Sequence, residues 1–364
     1  MKYFVLAGEA SGDLHGANLI KAIKDEDANA EFMFWGGDQM SAAAKKTPLK
    51  HIKELAFMGF VEVVQNLGTI LGNIKLCKKQ IADFMPDVVV FIDYPGFNLR
   101  LAKWAKQQGF KTAYYISPQI WAWKENRVKI IKAFVDEMIC ILPFEKNFYK
   151  KHGFDAHYVG HPLLDAIESS EIDFSLKSGV ALLPGSRKQE IRKMLPTMLN
   201  VAKQFGHMDF TIAAAPSIDQ EFYNSFKLPS NVKTTFDASQ EVMKNAQAAL
   251  VTSGTATLET ALFETPLVVC YKANVISVAI ARLLIKVKYI SLVNLIADKE
   301  MVKELIQNDF SIGNCKAELE KLFNPGARKT IIQGFKELKE LLGNRGASKR
   351  AASIIINCAQ NLQS

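Results

Sequence analysis

The chain has 364 residues, enough for two domains, and its 49% apolar and 23% charged residues are those of an ordinary folded globular protein. Five scattered cysteines with no C-x-x-C pair indicate neither a zinc site nor a disulfide framework, and a reducing cytoplasm is the simplest setting. The net charge of +8 is spread over both halves without a dense basic stripe, which suits an anionic ligand or an anionic membrane surface and argues against nucleic acid.

The apolar run at Met1–Ala7 is too short for a signal segment and reads as a first strand, Tyr3–Ala7. Gly8-Glu9-Ala10-Ser11-Gly12-Asp13 reads as a turn, and Leu14–Lys24 has helical spacing. This βα unit lacks the full G-x-G-x-x-G pattern of a dinucleotide site. Asp25-Glu26-Asp27 spells D-x-D, a metal-binding signature of some glycosyltransferases, but it follows a helix and reads as a solvated helix end. Glu31–Gly36 is a second strand. Glu54–Lys79 is apolar and roughly helical with a basic tail of Lys75, Lys78 and Lys79. Two readings stay open for it: a stripe buried in the core, or apolar and basic residues set against a membrane surface.

Asp87–Ile92 is a buried strand followed by Asp93-Tyr94-Pro95-Gly96-Phe97-Asn98. Ligands of open parallel sheets bind at such strand ends. Asp93 there is either a general base toward a sugar hydroxyl or the cap of the next helix. Lys111–Ile116 is a strand ending in Ser117-Pro118-Gln119-Ile120-Trp121-Ala122-Trp123, whose tryptophans are a ligand wall or plain core. Asp136–Leu142 leads into Pro143-Phe144-Glu145, and His157–Gly160 into His161-Pro162, where His161 is a candidate phosphate contact or a structural histidine.

Glu168–Ser178 is polar and reads as a linker. The pattern then restarts. Val180–Leu183 is a strand, and Pro184-Gly185-Ser186-Arg187 is a turn that offers N–H groups, a hydroxyl and a fixed cation to a diphosphate without a metal. Strands follow at Phe210–Ala214, Val232–Phe236, Ala246–Thr252 and Leu267–Tyr271. After the third of these, Ser253-Gly254-Thr255-Ala256-Thr257-Leu258-Glu259 reads as a tight turn and a helix start capped by Ser253 or Thr255. Its free N–H groups suit a phosphate, and Glu259, one turn inside, suits a ribose. The plainer reading is an ordinary strand-to-helix turn. Val275–Ile296 is a core helix or a membrane-facing patch, and Asn294 within it needs hydrogen-bond partners, of which a ligand is one candidate. Amphipathic helices run from about Cys315, broken at Gly343-Asn344-Arg345-Gly346. The fold class is therefore α/β, with two Rossmann-like domains facing across a cleft. The expected boundaries are 1–167, 168–342 and a C-terminal helix, 343–364, returning to the first domain.

Five motifs in order (Gly8–Asp13, Ser117–Trp123, Leu142–Glu145, Leu183–Arg187 and Ser253–Glu259) together resemble the lipid-A-disaccharide synthase family of inverting GT-B glycosyltransferases, over about Phe4 to Leu305. Val293 stands where that family usually has Pro. The resemblance implies transfer of a sugar from UDP-2,3-diacylglucosamine to the 6-hydroxyl of 2,3-diacylglucosamine 1-phosphate, with release of UDP and no cofactor or metal. It implies Asp93 as base, Arg187 and Glu9 as further catalytic residues, and a donor site of Gly185, Ser186, Arg187, Ser253, Gly254, Thr255, Ala256, Glu259 and Asn294. It implies acceptor-side loops that include Ser11, Gly12, Asp13, Ser117 and Trp121. It also implies peripheral attachment to the cytoplasmic face of the inner membrane, with a homodimer left open. The rivals are a UDP-N-acetylglucosamine 2-epimerase, which shares the fold, and a non-catalytic UDP-sugar-binding protein.

Overall fold

The computed structural model describes residues 1–55, 67–167, 173–236, 238–273 and 287–360. Parts of three stretches singled out in the sequence lie outside the described residues: 56–66 of Glu54–Lys79, 168–172 of the polar linker, and 275–286 of Val275–Ile296. The described residues form two units, one of Met1–Ala166 with Asn344–Ser364 and one of Ile167–Gly343.

In unit 1 the strands are β1 (Lys2–Ala7), β2 (Glu31–Gly36), β3 (Lys50–His51), β4 (Val88–Ile92), β5 (Lys111–Tyr115), β6 (Glu137–Cys140) and β7 (His157–Tyr158). They form one sheet in the order β3-β2-β1-β4-β5-β6-β7, with every pair parallel. Parallel strands covered on both faces need continuous apolar sequence, and all five residues of Val-Val-Val-Phe-Ile in β4 are fully buried. The chain runs outward from β1 to β3, then returns to place β4 on the other side of β1. The β1/β4 boundary is therefore the switch point where such sheets bind ligands.

The first helix begins at Ala10 and runs to Glu26, so the turn is only Gly8-Glu9 and not the whole of Gly8–Asp13. Gly12 permits this early start: a Cβ there would lie 3.3 Å from that of Ala7, so the helix lies hard against β1. The Asp-Glu-Asp at the helix end is structural. Asp27 accepts from the N-terminal amine (2.9 Å) and Tyr3 Oη (3.0 Å), and Glu26 accepts from Ser353 Oγ (2.9 Å).

The C-terminal helix, Ala347–Gln360, packs on the first helix and on β4, β5 and β6. Asp165 fastens its start by accepting the N–H groups of Gly346 (2.6 Å) and Ser348 (3.2 Å), and Arg350 donates to Val159 O from Nε (2.9 Å) and Nη2 (2.6 Å). The helix Leu67–Phe84 buries Ile74, Cys77 and Ile81 and exposes Leu71 and Leu76 beside Lys75 and Lys79.

In unit 2 the strands are β8 (Val180–Leu183), β9 (Phe210–Ala213), β10 (Val232–Thr235), β11 (Ala248–Thr252), β12 (Leu267–Tyr271) and β13 (Glu304–Ile306). Their order is β10-β9-β8-β11-β12-β13, again all parallel. The switch point here lies between β8 and β11. Lys177 pins the entry to this unit, donating to the carbonyls of Lys244 (2.7 Å) and Phe263 (3.0 Å) and to Thr265 Oγ1 (2.6 Å). Sequence periodicity does not reveal β3 and β13. They are two and three residues long, and a period cannot establish itself over that length.

Candidate active-site loops at the two switch points

At the first switch point β1 ends in Gly8-Glu9 and β4 ends in Asp93-Tyr94. Gly8 is required by close approach: a Cβ on it would meet the Tyr94 ring at 2.5 Å. Asp93 and Tyr94 both have positive φ, 43° and 49°, a conformation that costs a β-substituted residue on the order of 1–3 kcal/mol. The surrounding structure enforces it. Asp93 O accepts from Tyr114 Oη (2.5 Å) and Asn98 Nδ2 (2.8 Å), while Asp93 N donates to Tyr115 O (3.2 Å). The helix Pro95–Gln107 takes Tyr94 as its N-cap, so Asp93 is not the helix cap that one sequence reading allowed.

These anchors hold the backbone of Asp93. Its half-buried carboxyl is pushed up to about 7, by burial first and by the charge of Glu9 second, against a hydrogen bond from the Tyr94 N–H. A carboxylate with this ionisation is suited to accept a proton near neutral pH. Glu9 is half-buried at the N-cap position of the first helix.

The other acceptor-side residues hold the loops in shape. Asp13 is buried and caps the helix Asp38–Ala44, with Oδ1 accepting from Gly37 N (2.6 Å) and Met40 N (3.1 Å) and Oδ2 from Gln39 N (3.1 Å). Gly12 is the close-packing point described above, and Ser11 is exposed on the same turn. Ser117 Oγ is buried 2.9 Å from Tyr149 Oη, and Trp121 Nε1 donates to Glu145 Oε1 (3.1 Å). Glu145 Oε2 accepts from Leu142 N (3.0 Å), and burial raises its carboxyl to about 7. Two motifs distant in sequence, Ser117–Trp123 and Leu142–Glu145, are thus one interlocked structure. His161 is buried, accepts from Leu163 N (3.2 Å), and is lowered to about 3 by burial and then by His15. It stays neutral, so it is no cation for a phosphate.

At the second switch point β8 ends in Gly185-Ser186-Arg187 and β11 in Ser253-Gly254. Gly185 has φ 122°, and a Cβ on it would stand 2.8 Å from that of Glu190. Glu190 is the residue that shapes this turn: Oε2 accepts from Ser186 N (3.1 Å) and Oε1 from Arg187 Nη1 (2.9 Å). Gly254 is extended, with φ 160°, so the turn itself does not demand glycine. A Cβ on it would have no atom of the other described residues within 4 Å.

The N-cap of the helix Thr255–Leu262 is Gly254, and among the described residues no side chain caps it, contrary to the expectation for Ser253 or Thr255. Ser253 Oγ donates instead to Ile290 O (3.0 Å), and Ser253 N donates to Cys270 O (3.0 Å). Orphan N–H groups at such a start face an anion favourably. Thr255 is exposed and Ala256 half-buried in that first turn. Glu259 is half-buried and accepts from Gln240 Nε2 (2.9 Å), and its carboxyl is raised by burial against that bond.

Asn294 is fully buried, and its amide is fully used. Nδ2 donates to Val302 O (2.8 Å) and Glu304 Oε1 (2.9 Å), while Oδ1 accepts from Met301 N (2.8 Å) and Val302 N (3.0 Å). A carboxamide has two donors and two acceptor sites, so none is left for a ligand. Glu304 also accepts from Ile290 N (2.9 Å), Ser291 N (3.0 Å) and Ser291 Oγ (2.7 Å). The Asn294–Glu304 pair therefore fixes the segment whose Ile290 carbonyl holds Ser253.

Residues 3–356 match the family described as lipid-A-disaccharide synthetase. The chain belongs to the lipid-A-disaccharide synthase family. The lipid-A-disaccharide synthase of Myxococcus xanthus (strain DK1622) is 38% identical over 371 residues, covering 98% of this chain and 97% of that one. That of Syntrophus aciditrophicus (strain SB) is 40% identical over 365 residues, covering 96% and 95%. Among solved structures, the Methanocaldococcus jannaschii UDP-GlcNAc 2-epimerase in complex with UDP-GlcNAc and UDP aligns with TM-score 0.63 at 12% identity, covering 98% of this chain and all of that one. That likeness shows the fold, GT-B. The family match decides between the synthase and epimerase readings: the activity is that of a glycosyltransferase that takes its sugar from a UDP-sugar and builds the lipid A disaccharide. Among the described residues no helix is long and apolar enough to cross a membrane.

Sequence reasoning did not find Tyr94, Asn98, Tyr114, Glu190 or Gln240. Asn98 and Glu190 had a signal: each polar side chain lies within one or two turns of a helix that opens at a strand end, where side chains reach back to loop backbone. The tyrosines had none, because their roles arise from neighbouring strands.

Proposed function

We propose that unit 1 activates the acceptor and unit 2 holds the donor. Asp93 takes the proton of the 6-hydroxyl of 2,3-diacylglucosamine 1-phosphate. The freed oxygen forms its bond to the anomeric carbon of UDP-2,3-diacylglucosamine from the face opposite UDP. The carbon–oxygen bond to the diphosphate breaks, and its electron pair leaves on UDP, which inverts the centre. Charge grows on the diphosphate as it departs, so donors already fixed there lower the barrier. Arg187 and the N–H groups of Ser186, Gly254, Thr255 and Ala256 are assigned that task, and Glu259 the ribose hydroxyls. Glu9 tunes Asp93, while Asn294 positions the donor loop through Glu304 and Ser253.

The observation that carries this reading is Asp93 itself. It is a carboxyl at the β1/β4 switch point, held by its backbone in a strained conformation, with its ionisation moved to about 7. We assign the enzyme to the cytoplasmic face of the inner membrane, a reading supported by the acyl chains that both substrates would carry. The exposed face of Leu67–Phe84, with Leu71, Lys75, Leu76 and Lys79, is assigned to that contact.

The test is mass spectrometry of the products from the two lipid substrates, with chelator present, for wild type and Asp93→Asn. Disaccharide 1-phosphate from the wild type and about 10²–10⁴-fold less from the variant supports the base assignment. A fully active variant moves the base elsewhere.

A further inference from the structure

Three cations from two separate stretches of unit 1 gather without carboxylate partners. Lys124 and Arg127 follow the short helix Ile120–Trp123, at the end of β5. Lys124 Nζ is 4.2 Å and Arg127 Cζ 5.7 Å from the centroid of the Trp123 ring. Arg100 is exposed on Pro95–Gln107, the helix that opens just after Asp93, and its charge reaches Arg127. Among the described residues none of the three has a carboxylate within ion-pair distance. Glu125, the carboxylate between Lys124 and Arg127, lies 3.2 Å from His152 Nε2.

Lys124 and Arg127 are half-buried, and burial holds both below their ordinary ranges, joined for Lys124 by the charge of Arg127 and for Arg127, against the opposite effect of Tyr114, by that of Arg100. Converging, partly desolvated cations are costly in a folded chain unless an anion joins them. Their position says which anion. Arg127 acts electrostatically on Tyr114, whose hydroxyl donates to the Asp93 carbonyl at 2.5 Å. Arg100 follows β4 and Lys124 and Arg127 follow β5, its parallel neighbour, so the cluster lies at the sheet edge where β4 ends in Asp93.

We propose that Lys124, Arg127 and Arg100 bind the phosphate of the acceptor and so seat its sugar with the 6-hydroxyl at Asp93; this rests on the assignment of unit 1 to the acceptor. A phosphomonoester carries close to two negative charges and several acceptor oxygens, which matches a guanidinium and an ammonium fixed over one indole. The phosphate and the reacting hydroxyl are at opposite ends of one pyranose. Holding the first orients the second, which is where positioning lowers a barrier. Membrane phosphate headgroups offer the same chemistry, so the test separates the two sources.

The full-length enzyme in uncharged detergent is compared with Lys124→Ala/Arg127→Ala and with Arg127→Lys. Binding and turnover are measured for 2,3-diacylglucosamine 1-phosphate and for 2,3-diacylglucosamine, together with the donor KM, thermal melting, and co-sedimentation with phosphatidylglycerol vesicles. The wild type is expected to bind the phosphorylated acceptor more tightly. The double variant loses that preference, by about tenfold or more per cation removed. Its donor KM, its melting curve and its handling of the unphosphorylated acceptor stay unchanged, and Arg127→Lys keeps part of the preference.

Equal loss on both acceptors, or an intact preference in the double variant, overturns the proposal. Loss of vesicle binding with the preference intact assigns the patch to headgroups and overturns it too. A fully active Asp93→Asn variant that still prefers the phosphorylated acceptor would sink the assignment of Asp93 and leave the phosphate site standing.

Discussion

Glu9 and Asp93 stand at the ends of neighbouring strands, β1 and β4, and the negative charge of Glu9 makes ionisation of Asp93 costlier. Burial is the larger cause, and together they bring the Asp93 carboxyl to about 7. The base must be ionised to accept a proton, so kcat/KM should rise with pH through about 7 and level off above it. Glu9→Gln removes only the smaller cause. The midpoint should move toward acid but stay above the ordinary carboxylate range. A pH–rate profile of both enzymes checks this, and a midpoint that does not move, or that moves toward base, would show that Glu9 acts in some other way.

The same shift has a price in stability, with a definite sign. A carboxyl whose folded value lies above its unfolded value stabilises the fold while protonated, and that contribution is lost as pH rises from about 4 to about 7. Asp93→Asn has no charge to bury. It should melt with the wild type near pH 4 and above it near pH 8, where the gain is at most ~4 kcal/mol. Thermal melting at both pH values measures it. Gain of stability with loss of activity in one substitution is the pattern of a residue kept for chemistry. An Asn variant that melts lower than wild type at pH 8 would mean that the buried charge is compensated.

Much of this was legible in the sequence because parallel strands buried on both faces are written as continuous apolar runs: Val88–Ile92 and Ala248–Thr252 could be read almost to the residue. The loops after them could be read as candidate sites because strand ends in this fold class carry ligands. The division of labour within the loops could not be read. Asp13, Ser117 and Asn294 look like ligand contacts in sequence, and each turns out to spend its polar atoms on the protein's own backbone or on a buried hydroxyl. Which atoms a polar residue meets is set by neighbours that arrive from elsewhere in the chain, as Met301 and Val302 do at Asn294. No local pattern encodes that.

Gly185→Ala tests the donor turn. The backbone there is in the region that L residues rarely adopt, and the added Cβ would press on Glu190. Glu190 must then release Ser186 N and Arg187, so the substitution should cost on the order of 1–3 kcal/mol of stability and weaken UDP binding. Calorimetric titration with UDP, alongside melting, checks both. Unchanged UDP affinity in a folded variant would remove this turn from the donor site.

Asn294→Ala separates positioning from contact. It leaves the buried N–H of Val302 without its partner and takes one donor each from Val302 O and Glu304, which keeps its bonds from Ser291, at a cost of about 1–3 kcal/mol for the buried group left unsatisfied. Melting should fall clearly. Activity should fall with it, through the loosened Ile290–Ser253 contact, and UDP affinity should recover in part when the assay is cooled well below the transition. A variant with wild-type melting and lost UDP binding would point to direct ligand contact instead.

Lys75, Lys78 and Lys79 carry the membrane prediction. Leu71 is 57% exposed and Leu76 39% exposed on the same helix as the exposed ammonium groups of Lys75 and Lys79, while Ile74, Cys77 and Ile81 fix its other face in the core. Lys78 also lies over the Trp104 ring, 5.5 Å from its centroid, so it is partly engaged within the protein. A basic residue near an anionic bilayer contributes about 1 kcal/mol, and salt screens it. Replacing all three by Gln should weaken binding to phosphatidylglycerol vesicles roughly ten- to a hundredfold at low salt, and much less at high salt. Lys75 and Lys79 are exposed and only Lys78 meets an aromatic ring, so melting should fall little. Turnover of acceptor dispersed in uncharged detergent should hold as well, because the loss is of the surface and not of the site. Vesicle binding unchanged at low salt would move the membrane contact to another part of the chain.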